Sequence, residues 1–279
     1  MCRPWCWSRR SRAAAPAAVL VSEVQLEGRG VVGVARYPQM SFHHRIYARR
    51  VDMASVSFAE RLRALLSTAD AAADLERYFG LDVVDGVVTP AFTGSRFEHL
   101  DGGGDRADIA NVVTAADLIA VQTLSVQVPP PAALALLEGH LAGEISALLH
   151  QIPADTDMAN AEPTLLEPGS PADRAWHLLK GEKGLGWVTT NKLLARKRPR
   201  LLPVYDQVVR CVVGHPESFW LSLRAALAAD GNALHEQLQS LRDGVGVPET
   251  VSALRICDVV LWMSHVAGHK EKDCGGVPD

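Results

Sequence analysis

Apolar positions recur at helical spacing along most of the chain, and only one short stretch reads as strand. Between Ser57 and Phe79 the stripe Leu62, Leu65, Leu66, Ala69, Ala73 and Leu75 predicts one amphipathic helix. Gly80 follows as its stop. Val83-Val84-Asp85-Gly86-Val87-Val88 reads as a hairpin inserted near 81–100, because Asp-Gly favours a tight turn. Thr114 is placed to cap a helix over Ala115–Val126, which is almost wholly apolar and therefore central. Pro129 to Pro131 break it and open another helix, Ala132 to about Gln151. Residues 153–170 are acidic and rich in Pro, Gly and Ser, and predict a long loop. Further helices are expected over Pro171–Leu179 and near 205–213, 216–229, 231–242 and 248–267. The expected fold is mostly α. It is one helical domain over 53–270 with a small β-hairpin insertion, followed by a tail over 271–279.

Composition agrees with a globular domain. Hydrophobic residues make up 48% and charged residues 22% of 279, which excludes wholesale disorder and a collagen-like repeat. No apolar run approaches the roughly 18 residues that span a bilayer, so no membrane span is expected. The net charge of -4 hides an uneven distribution. Residues 1–52 hold nine Arg against Glu23, Glu27 and Asp52, a sum of +6, which leaves -10 for the remainder. Pro16 interrupts the short apolar stretch Ala13–Val21, so residues 1–52 read as a disordered basic leader rather than an export signal. Met53 is a natural alternative start.

The cysteines, Cys2, Cys6, Cys211, Cys257 and Cys274, match neither a disulfide framework nor a zinc ribbon. Reduced thiols in the cytoplasm are the simplest account. His265-x-x-x-His269 before Cys274 would set two imidazoles on one helical face. Gly268 is expected to end the helix first, which makes this a solvated helix end. No metal or other cofactor is expected.

The most informative stretch is Lys183-Gly184-Leu185-Gly186-Trp187-Val188-Thr189-Thr190-Asn191-Lys192. It predicts a helix, a Gly-hydrophobic-Gly hairpin and a second helix, together about 176–197. The glycines supply unusual backbone angles and a close approach, and Leu185 anchors the turn in the core. Backbone N–H groups at the start of the second helix attract anions. This arrangement grips a phosphate without reading bases. From Trp187 to Tyr205 there are five basic residues, Lys192, Arg196, Lys197, Arg198 and Arg200, and no acid. Phosphate attraction is one reading of this strip, and a solvated helix end is the other. The Gly102-Gly103-Gly104 run lacks P-loop spacing and is read as a plain loop.

Asp206 lies 22 residues after Gly184, in Leu202-Pro203-Val204-Tyr205-Asp206-Gln207. Here the sequence resembles the helix-hairpin-helix DNA glycosylase superfamily over roughly 114–130 and 176–213. The resemblance implies that Gly184, Leu185 and Gly186 are the DNA-gripping hairpin and Asp206 the catalytic aspartate. Leu124-Ser125-Val126-Gln127 resembles the family's Leu-Ser-x-Gln segment, which implies that Gln127 lies near DNA. Val188 stands where bifunctional members carry a lysine nucleophile, and the iron–sulfur cysteine quartet is missing. The implied activity is therefore monofunctional. The whole chain also resembles a bacterial family of unknown function.

On that resemblance, Asp206 stabilises the sugar cation left by base loss. Lys192, Arg196 and Arg198 contact phosphates, and Trp176, Trp187 or Tyr205 either stack on the base or pack in the core. The residues leave two alternatives open. Asp206 is also a good N-cap, which suits a noncatalytic nucleic-acid-binding module. A structural or interaction role for a helical protein is the third reading.

Overall fold

The described residues fold as α-helices with one two-stranded hairpin, and longer segments built on short 3-10 turns precede Ala115 and Pro171. The computed structural model describes residues 58–84, 86–88, 91–214 and 216–270. The basic leader, the start at Met53, Cys2, Cys6, Cys274, Asp85 of the hairpin turn and the 271–279 tail lie outside the described residues.

The first predicted helix is two: α1 (Phe58–Leu66) and α2 (Ala69–Phe79). Thr68 breaks them with extended backbone, and its hydroxyl donates to Leu65 O at 2.9 Å. Gly80 ends α2 with φ 70°, as a left-handed cap should. The strands β1 (Val83–Val84) and β2 (Val87–Val88) pair antiparallel, with Val84 opposite Val87.

Thr114 caps α3 (Ala115–Gln122), and Asp117 answers from the third position, which completes a capping box. The helix stops four residues before Val126, and Ser125 then takes φ 62°. The segment expected as one helix from Ala132 is α4 (Pro130–Leu137) and α5 (His140–Leu149). Gly139 lies between them, where a Cβ would sit 2.8 Å from Ala135 Cα. The chain continues through α6 (Pro171–Gly181), α7 (Trp187–Lys197) and α8 (Gln207–Val213). In α9 (Phe219–Gly244), left-handed backbone at Asp230, Gly231 and Asn232 separates the two predicted helices. The last elements are α10 (Ala253–Met263) and α11 (Val266–Lys270). Gly268 does not end α11, because His269 N donates to His265 O at 2.9 Å across it.

Helix α10 is the core element, buried along nearly its whole length, with α1, α2, α8 and α9 packed around it. A second layer packs α3 on α7, α7 on α6, and α6 on α5. No single described helix is long and apolar enough to cross a membrane.

The basic strip is not a contact surface. Arg196 and Arg198 are 1% and 0% exposed. Arg196 donates to Asp117 Oδ1 at 3.0 Å and to the carbonyls of Phe97 and Leu100. Lys197 Nζ reaches the other Asp117 oxygen at 2.9 Å. Arg198 donates to the carbonyls of Ala110, Leu149, Ile152 and Lys197 and to Asn111. These cations satisfy loop and helix-end carbonyls that α7 would otherwise leave buried without donors. Arg200 is exposed but is held by Asp157 through a two-pronged pair.

Candidate functional site

The helix-hairpin-helix is α6, the turn Glu182–Leu185, and α7. Gly184 takes φ 93°, and Leu185 is 2% exposed, the anchor its position predicts. Gly186 has φ -69°, an ordinary value, and caps α7. It does not need glycine's conformational freedom. Its missing side chain instead leaves open space, with nothing within 4 Å of a built Cβ. Gly184 packs on Pro129, so the turn sits against the end of the Leu124–Gln127 segment.

Asp206 is 8% exposed and opens α8. Its Oδ1 accepts from Val208 N and Val209 N, each at 3.1 Å. Its Oδ2 faces Lys192 Nζ at 3.4 Å. Both side chains line a cavity of about 280 Å³. Lys192 also donates to Leu124 O at 2.9 Å, which fixes the turn carrying Ser125 on the cavity wall. Burial outweighs Asp206 and holds the Lys192 ammonium below its usual pKa. Lys192 is therefore a pocket residue and is not placed to meet an external phosphate.

The rest of the cavity comes from α2, the 92–94 turn and α10. Tyr78 and Phe92 stack with ring centres 5.2 Å apart, and Trp262 meets both edge-on. Below them Arg255 donates to Asp258 Oδ2 at 2.5 Å, to Gly94 O at 3.0 Å and to the Tyr78 hydroxyl. Gly94 has no room for a side chain, since a Cβ would collide with Tyr78 and Leu124. Burial pushes the Asp258 carboxyl up to about 8 even beside Arg255. Its Oδ1 is buried with no partner among the described residues. A neutral carboxyl there keeps one oxygen buried and unsatisfied in a residue that lines the cavity.

The aromatics expected to stack on a base lie elsewhere. Trp176, Trp187 and Tyr205 line a separate shallow groove with Phe219 and Trp220. Tyr205 stacks on Phe219 at 4.0 Å, and Arg210 lies over Trp187. Gln127 is exposed and does not line the Asp206 cavity, whereas Leu124, Ser125 and Val126 do. The signal missed in the sequence is in α10. Arg255 and Asp258 interrupt an otherwise apolar helix three residues apart, and Trp262 follows one turn later on the same face.

Residues 71–265 match a family of unknown function (DUF6308). No curated protein and no solved structure matches the chain.

Proposed function

The chain belongs to the family of unknown function DUF6308, and we propose that its cavity takes a planar nucleobase swung out of DNA and that Asp206 assists release of that base. The observation that carries this reading is the position of Asp206. Its carboxylate lines an aromatic-walled cavity together with Val188 and Lys192 of α7, the second helix of the helix-hairpin-helix.

A flipped base needs an apolar slot with a few polar groups at one end. Tyr78, Phe92 and Trp262 supply the slot, and the unpartnered Asp258 oxygen supplies a hydrogen bond to the base edge. The bond from C1′ to the base nitrogen breaks with both electrons leaving on the base. The sugar then carries positive charge, which the Asp206 carboxylate stabilises at close range. Water adds at C1′ and its proton passes to Asp206 or to solvent. The hairpin N–H groups hold the flanking phosphate.

Both nucleic-acid readings drew on Lys192, Arg196 and Arg198 as phosphate ligands, and all three are buried. The hairpin N–H groups alone are left to meet a phosphate, and the noncatalytic reading keeps nothing that the base-release reading lacks. The test is base release from duplex and single-stranded oligonucleotides carrying a panel of damaged and mismatched bases. Wild-type protein should release at least one base, and Asp206→Asn should release it at least about a hundredfold more slowly. Asparagine also caps helices well, so the variant should melt near the wild-type temperature. No release across the panel overturns the enzyme reading.

A further inference from the structure

We propose that Cys211, His265 and His269 form a binding site for a divalent metal ion of the zinc class, which clamps α8 to the end of α10. This site does not depend on the nucleobase reading.

The three residues come from two places in the chain. Cys211 lies on α8, whose N-cap is Asp206. His265 follows the last turn of α10, and His269 stands one helical turn further on in α11. A ligand atom from each lies within 4.8 Å of the other two, and all three residues are half-buried. Cys211 Sγ is 3.5 Å from His269 Nδ1. Zinc bonds of about 2.3 Å to sulfur and about 2.0–2.1 Å to nitrogen, at tetrahedral angles, set a sulfur-to-nitrogen edge of about 3.5 Å. The observed Cys211–His269 separation already equals that edge, and the His265 ligand atom lies within 4.8 Å of both. His265 Nε2 is buried without a hydrogen-bond partner among the described residues, a state that costs free energy unless something else binds the ring.

The donor set selects the metal. One thiolate and two imidazoles favour zinc and disfavour magnesium or calcium, which take oxygen ligands. Three protein ligands leave a fourth position for water or a further side chain. Binding releases the thiol proton to solvent, and the thiolate and two neutral rings donate their lone pairs to the ion. The elements joined are two walls of the Asp206 cavity. Gln207 and Val208 line it from α8, and Asp258 and Trp262 line it from α10.

The experiment is a cobalt(II) and zinc(II) titration of the full-length reduced protein, read by absorption and by thermal melting. The expected result is one tightly held ion per chain. With cobalt it should give tetrahedral d–d bands and a thiolate-to-metal charge-transfer band, and with zinc a raised melting temperature. Cys211→Ser should lose the charge-transfer band, and His265→Ala should lose the tetrahedral bands and the zinc-dependent melting shift. If Cys211→Ser fails to fold, His265→Ala with the same two readouts decides the matter. Absence of stoichiometric binding, or a charge-transfer band and melting shift that survive in either variant, overturns the proposal. In that case the 3.5 Å contact is a thiol–imidazole hydrogen bond.

Discussion

Lys192 Nζ lies 3.4 Å from Asp206 Oδ2 and 2.9 Å from Leu124 O, so one ammonium joins three walls of the same cavity. The pair is nearly dry, with side chains 5% and 12% exposed. Attraction between such charges is weakly screened, and removal of one partner leaves the other buried.

Lys192→Met should therefore destabilise the fold by on the order of 3 kcal/mol. The two backbone donors to Asp206 keep the loss from being larger. Adding Asp206→Asn to Lys192→Met should recover part of the loss, because a neutral amide needs no counter-charge. Urea denaturation of the two single variants and the double variant measures the coupling. Independent, additive effects would show that the two groups do not interact.

Asp258 makes a prediction about pH. Its carboxyl is raised from an ordinary 3.8 to about 8 by burial in the fold. Between those values the folded chain holds a proton that the unfolded chain has released. Stability from this group is thus full below about pH 4 and falls as pH rises towards 8. Above 8 both states have lost the proton and the dependence levels off. Asp258→Asn, whose amide mimics the protonated acid, should flatten the decline over pH 4–8. Melting temperatures of both proteins across that range provide the check, and parallel curves would mean that Asp258 is ionised in the fold.

Local chemistry was legible in the sequence, and long-range partnership was not. The cap at Thr114, the stop at Gly80, the anchor Leu185 and the helix opened by Asp206 depend on neighbours within a few residues, so spacing alone revealed them. The cavity joins Tyr78, Phe92 and Trp262, which nothing in the local pattern relates. The basic strip misled for the same reason. Charge run along one segment looks like a solvated face, but Asp117 lies 79 residues from Arg196, and three of the four carbonyls that hold Arg198, those of Ala110, Leu149 and Ile152, are distant in sequence. The helix breaks at Thr68 and Gly139 leave no mark in the periodicity, because apolar spacing continues across them while the backbone does not.

The two hairpin glycines should separate folding from binding. At Gly184 φ is 93°, and a Cβ would stand 2.8 Å from Pro129 Cγ. Gly184→Ala meets both a disfavoured backbone and a steric conflict, and should cost about 1–3 kcal/mol. At Gly186 φ is ordinary and a Cβ meets nothing within 4 Å. Gly186→Ala should therefore cost less than about 1 kcal/mol, the scale of a weakened N-cap. Its methyl group would nevertheless stand in the open space through which, on the proposed reading, a phosphate would approach the N–H groups of α7. Duplex affinity by fluorescence anisotropy at low salt should fall several-fold in Gly186→Ala while the melting temperature barely moves. Unchanged affinity in that variant would remove the hairpin from any account of DNA contact. A loss of stability at Gly186 as large as at Gly184 would mean instead that the open space is filled in solution.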